Sequence, residues 1–163
     1  MKASRQIVAV DPSEGQKLMI AGGEYRIIIS GKQTGGTFAV IEMVVPPGAG
    51  PVPHAHPHFE ESFYVLEGEV HFKSESGSYV AKENAFISIP KGGIIHGFKN
   101  LSNNSAKLLC TVIPAGLDDF FIEVSGFMEI AKKESYEAVE IKKHLDLISE
   151  KYGQKLYSPD FLG

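Results

Sequence analysis

The strongest constraint on the fold is a rhythm of short extended runs that fills the chain from Lys17 to Ile113. Lys17 to Ala21, Tyr25 to Ser30, Thr37 to Val45, Glu61 to Leu66, Val70 to Ser74 and Ser78 to Ala81 each read as a strand. So do Phe86 to Ile89, Ile94 to Phe98 and Lys107 to Ile113. Gly22-Gly23, Gly35-Gly36 and Glu67-Gly68-Glu69 supply the reversals between them. Strands of this length, separated by turn residues and with no helical pattern between, indicate an all-β sandwich or barrel. A jelly roll is the natural candidate. Seventeen glycines and nine prolines suit a chain with this many turns.

One stretch interrupts the rhythm with chemistry. Between Gly48 and Gly68 the chain places His54, His56, His58, Glu60 and Glu61 within eight residues. On an extended backbone His54 and His56 point to the same face. Pro57 cannot donate to a ladder and breaks the run. Past the break, Glu61, Phe63 and Val65 share one face, while Glu60, Ser62, Tyr64 and Leu66 share the other. Parity therefore separates the two adjacent glutamates. If the ligand face is the interior, Glu61 joins the imidazoles and Phe63 and Val65 line the same pocket. Imidazole plus carboxylate is the donor set of non-haem iron, manganese, nickel and catalytic zinc sites.

These residues resemble the first signature of the cupin superfamily, Gly-x5-His-x-His-x4-Glu-x6-Gly, read here at Gly48, His54, His56, Glu61 and Gly68 without change in spacing. The second signature, Gly-x5-Pro-x-Gly-x2-His-x3-Asn, is matched by Asn84, Pro90, Gly92, His96 and Asn100. Asn84 replaces the usual glycine, and one extra residue separates Gly92 from His96. Asparagine also tolerates the left-handed conformation a glycine would take there. The resemblance implies a double-stranded β-helix, or cupin barrel. It also implies one divalent transition metal ion (Fe, Mn, Ni, Co or Zn) held by His54, His56, Glu61 and His96.

A narrower likeness, to single-domain cupins of the quercetin 2,3-dioxygenase type, rests on Gly50 to His56, Glu60 to Gly68, Pro114 to Phe121 and Glu150 to Gly153. It implies a metal-dependent dioxygenase acting on a small aromatic or enolic compound such as a flavonol, with dioxygen as co-substrate. Glu61 would be both ligand and general base. Met43, Phe63, Val65 and Phe98 are the expected walls of an apolar substrate pocket. The alternatives are a non-redox isomerase or lyase, and a binding protein without turnover. The resemblance further implies a homodimer. Residues 1–30 would form an N-terminal arm and first strands at the barrel or dimer interface, with the barrel proper over 31–115.

The remaining polar residues read more plainly. His58 follows the Pro57 break and suits the rim of a site. Glu42, in an apolar strand, is either a second pocket acid or part of a solvated face. His71 and His144 read as surface residues, Cys110 as a buried apolar one, and Asn100 as a turn-fixing residue. Tyr64 and Leu66, opposite the ligand face, need cover from a second subunit or the tail.

After Pro114-Ala115-Gly116 the pattern turns helical. Leu117 to Val124 reads as a short helix with Asp118 and Asp119 in its first turn, where acids suit the helix dipole. A longer helix begins near Ser135, with Gly153 placed as its stop. Residues 116–163 are expected to cover the barrel as a helical tail.

Charge and composition remove several classes. The formal net charge of −4 disfavours nucleic acid as a partner, and a separate DNA-binding unit ahead of the strands is not expected. A single cysteine, Cys110, allows no internal disulfide. No leading apolar run suggests a signal peptide, and no segment is long and apolar enough to span a membrane. A cytoplasmic location is the expectation.

Overall fold

In the computed structural model, which describes residues 6–163, the alternation read from the sequence becomes two facing antiparallel sheets. The first contains β1 (Gln16–Ile20), β2 (Gly23–Ile29), β3 (Ala39–Val45), β5 (Glu60–Glu67), β8 (Phe86–Ile89) and β10 (Ala106–Ile113), in the order β1-β2-β3-β10-β5-β8. The second contains β4 (His54–Ala55), β6 (Glu69–Ser74), β7 (Gly77–Lys82), β9 (His96–Lys99) and β11 (Lys155–Leu156), in the order β11-β4-β9-β6-β7. This is a jelly roll followed by two helices, α1 (Leu117–Lys133) and α2 (Ala138–Lys151). The run Ile7 to Asp11 forms no strand, and Ile7 is exposed. Met1 to Arg5 of the expected arm lie outside the described residues.

Period-two patterning explains why the sheets face as they do. In β3, Ala39, Ile41, Met43 and Val45 are buried while Val40, Glu42 and Val44 are half-exposed. In β10 the inward set is Ala106, Leu108, Cys110 and Val112. A strand with one apolar face can bury it only against a second such face. The opposing sheet supplies Val70, Phe72, Ala81 and Phe98. Three of the rings meet at the centre: Phe63 lies 5.3 Å from Phe98 and 5.4 Å from Phe72, centroid to centroid.

Two signature glycine positions share a left-handed backbone. Gly68 turns the chain between β5 and β6 with a φ of 75°, and Asn84 takes a φ of 70°. Asparagine thus fills a left-handed slot, at a cost its short polar side chain keeps small. Gly50 is required for a different reason. A Cβ there would overlap the Phe98 carbonyl oxygen, so the lead-in to β4 can lie against β9 only as glycine.

The helices differ from expectation in length. α1 continues nine residues past Val124, through Ser125 and Gly126, because Ser125 and Ala131 are themselves buried on its packing face. Ser135, with a φ of 54°, belongs to the reversal between the helices, and α2 begins at Ala138. Gly153, with a φ of 76°, follows α2 and turns the chain back. The start of α1 is anchored by Asp118, which is 1% exposed. Its carboxylate accepts from the Gly31 N–H at 2.8 Å and the Gly116 N–H at 3.0 Å.

Replacing Asp118 with alanine strips the acceptor from both N–H groups, so Asp118→Ala should lower stability by about 2–4 kcal/mol. Asp119→Ala, one residue along and exposed, should cost less than about 0.5 kcal/mol. Chemical denaturation of the two variants checks the contrast.

Candidate metal centre

Four ionisable groups come together between the sheets. His54 lies on β4 directly opposite His96 on β9, and His56 is the residue immediately after β4. Glu61 enters from the other sheet, on β5. Within β5, Glu61 is 5% exposed and turned inward, whereas Glu60 is exposed. The ligand atoms of His54, His56, Glu61 and His96 all lie within 4.8 Å of one another, and all four residues are buried. His56 Nε2 lies 3.0 Å from Glu61 Oε2 and 3.1 Å from His96 Nε2. His96 Nε2 lies 3.9 Å from the same carboxylate oxygen.

The outer hydrogen bonds fix which ring nitrogen faces inward. His54 Nδ1 bonds the Val52 carbonyl at 2.8 Å, and His96 Nδ1 bonds the Ile94 carbonyl at 2.9 Å. His56 Nδ1 bonds the Phe59 carbonyl at 3.3 Å, and its ring stacks on Phe59 at 4.1 Å. A carbonyl only accepts, so each Nδ1 carries the proton. In the neutral ring, Nε2 is then a bare lone pair. Three lone pairs and a carboxylate therefore converge with no N–H among them. Such a set repels itself unless a cation or a shared proton sits at its centre. Its size, its buried walls and its nitrogen–oxygen donors fit a divalent transition metal.

Burial shapes the protonation of the metal-free cluster. It lowers the pKa of His54, and it lowers that of His96 to about 4, with His54 adding a further depression. Burial pushes the Glu61 carboxyl up, but in the metal-free cluster a proton shared with His56, together with the neighbouring His54 and His96, outweighs it and holds the group below its ordinary value. The second Glu61 oxygen accepts from the Cys110 S–H at 3.3 Å. Burial raises the Cys110 thiol, and Glu61 raises it further, so Cys110 is a neutral donor.

Above the cluster lies a cavity of about 260 Å³. Met43, Phe63 and Phe98 line it, as do His54, Glu61 and His96. Val65 does not; it is fully buried in the core. Several lining residues were not singled out from the sequence. Tyr25 contributes from β2, with burial, Cys110 and Glu61 all raising its phenol pKa. Leu117, Phe120 and Phe121 come from α1, Leu145 from α2, and Gln154 and Leu156 from the segment beyond. The helices thus form the roof. Phe121 meets Tyr25 edge-on at 5.1 Å. The apolar positions of α1 offered a signal for this role, whereas Gln154 offered none.

Other polar residues stand apart from the cluster. Glu42 lies on the outer side of β3, paired with the Arg26 guanidinium at 3.4 Å. His58 is exposed beside the Gly153 turn. His71 sits 3.5 Å from Glu69 at the surface, and His144 stacks on Phe127 between the helices. Asn100 is fully buried and structural: its amide donates to the Val45 and Asn104 carbonyls and accepts from Ser102. No helix among the described residues is long and apolar enough to cross a membrane.

Comparison with known proteins places these features in context. Residues 41–112 match the cupin domain family model. The chain is 26% identical over 112 residues to quercetin 2,3-dioxygenase of Bacillus subtilis, a match covering 69% of this chain. It spans about a third of the length of that relative, 33%. Among solved structures, a predicted oxalate decarboxylase of Thermotoga maritima superposes with a TM-score of 0.59 at 23% identity, over 66% of this chain and 99% of that one. KdgF from a Halomonas species gives a TM-score of 0.59 at 16% identity, over 68% of this chain and 97% of that one. At these identities the structural likeness is one of fold.

The depressed histidine pKa values set a pH dependence. The unfolded chain binds protons at His54 and His96 near pH 6.5, whereas the folded, metal-free chain resists them down to about pH 4 at His96. Stability should therefore fall as pH drops through that window, by roughly 3 kcal/mol for His96 alone. The low Glu61 pKa acts in the same direction at the acid end. Thermal melting of chelator-stripped protein from pH 7 to pH 4 checks the slope.

Proposed function

Because the chain belongs to the cupin superfamily, we propose that it is a metal-dependent dioxygenase of a small aromatic or enolic substrate, flavonol-like in outline. The observation that carries this reading is the cluster of four buried, donor-free ligand groups at the floor of an apolar cavity. The likeness to a quercetin 2,3-dioxygenase supports the choice of reaction.

In this reading His54, His56, Glu61 and His96 hold the metal. When bound, the ion supplies Lewis acidity toward a substrate oxygen and a site for redox chemistry with dioxygen. The rest is the work of the chain. Glu61, ionised at neutral pH, stands at the cavity floor where it can accept the proton of an enolic or phenolic hydroxyl. Cys110 keeps one carboxylate oxygen engaged through its S–H, which leaves Oε2 toward the imidazoles. Met43, Phe63 and Phe98 offer an aromatic body an apolar wall, and the α1 aromatics cover it from above. Water is thereby kept from a reactive enolate.

Self-association is a further part of the proposal. Tyr64 and Phe86 are cross-strand neighbours on the outer face of the first sheet, 37% and 62% exposed. A second copy covering them would bury an apolar pair that water otherwise meets. Sedimentation velocity should give a dimer that Phe86→Glu converts to monomer.

Elemental analysis of purified protein should find close to one transition metal per chain, and His56→Ala should cut that content by about tenfold or more. The wild type should consume dioxygen with a flavonol or enediol, and His56→Ala should not. Turnover under argon would move the reading to a Lewis-acid isomerase or lyase. Binding without product would move it to a ligand-binding protein.

A further inference from the structure

One polar group in the cavity wall is not explained by the metal cluster. Gln154 is 9% exposed, and its Nε2 is the buried side-chain nitrogen or oxygen without a hydrogen-bond partner among the described residues. A buried amide N–H left unpaired costs free energy, and native chains leave few such groups. Its position is set by backbone pairing. The Gly153 turn brings the chain off α2, and the Gln154 N–H bonds the Ser149 carbonyl at 2.9 Å. The next two residues form β11, where Lys155 faces Ala55 and Leu156 faces His54. The Tyr157 N–H continues the ladder to the Pro53 carbonyl at 2.9 Å. Continued by one residue in the other direction, this register sets Gln154 across from His56. Residues two apart share a face, so Gln154 and Leu156 project to the side that carries His54, and both line the cavity.

We infer that Gln154 is a specificity-determining hydrogen-bond donor: its side-chain N–H binds an acceptor oxygen of the molecule that occupies the cavity. This rests on the reading of the cavity as a small-molecule site. The free group is a donor, so its complement is an acceptor, and a ring carbonyl meets that need with lone pairs and no proton of its own. The ligand class narrows to aromatic or enolic molecules that carry a carbonyl as well as the hydroxyl directed to Glu61. The surrounding wall of Met43, Phe63, Phe98 and Phe120 makes this contact one of few polar ones available, which is how an apolar pocket gains discrimination.

The test uses two probes of one skeleton. 2-Hydroxy-1,4-naphthoquinone and 2-naphthol share a bicyclic frame and a ring hydroxyl, and differ in the two carbonyls. Their affinities are measured by calorimetry on wild-type protein, Gln154→Leu and Gln154→Met, with the metal content of each sample determined alongside. Both variants should bind the quinone roughly tenfold more weakly and 2-naphthol within about twofold of the wild type. Metal content should not change, and the melting temperature of the ligand-free variants should hold or rise, because an unpaired buried amide has been removed. Equal loss for both probes, no loss for either, or no quinone binding by the wild type overturns the assignment of Gln154. Wild-type protein that keeps the probe selectivity but holds no metal overturns the metal reading and leaves Gln154 in place.

Discussion

The structure depends on a local repulsion that the fold enforces. Three imidazoles are turned by backbone carbonyls so that their unprotonated nitrogens face a carboxylate across less than 5 Å. Water would relieve this by solvating each group, but all four are buried. Proton uptake would relieve it too, yet burial opposes a positive charge on His54 and His96. A bound cation satisfies all four at once. The carbonyls of Val52, Phe59 and Ile94 are therefore as much part of the centre as the ligands, since they decide which nitrogen is left bare.

Much of this was legible beforehand because it follows from alternation. The parity of β5 turns Glu61 in and Glu60 out, and the His-x-His spacing sends both rings to one side. The turn before β8 needed a left-handed residue, and Asn84 supplies it. What alternation cannot reveal is contact between elements far apart in sequence. α1 looked finished at Val124 because Ser125 and Gly126 are poor helix formers. Ser125 is nonetheless buried on the packing face, and Ala131 beyond it as well, so tertiary packing overrides the local preference. Val65 shares a face with Glu61 and Phe63 yet lies outside the cavity. Period two assigns a face but not a depth along it.

The roof of the cavity shows the same limit. Phe121 meets both Tyr25 and Phe120, and Asp118 ties the start of α1 to the loop between β2 and β3. No spacing in the sequence announces a bond between residues 31 and 118. Gln154 is harder still: a polar residue after a helix-ending glycine reads as surface, and only the pairing of β11 with β4 buries it.

That pairing has a mechanical corollary. The roof is hinged to the floor through the very strand that bears His54, so the C-terminal segment cannot swing wide without unzipping β4 from its outer neighbour. Traffic into the chamber must then use smaller motions, such as side-chain rotation at the α1 aromatics. Any larger breathing of the lid would be felt at once as slack among the four side chains of the cluster.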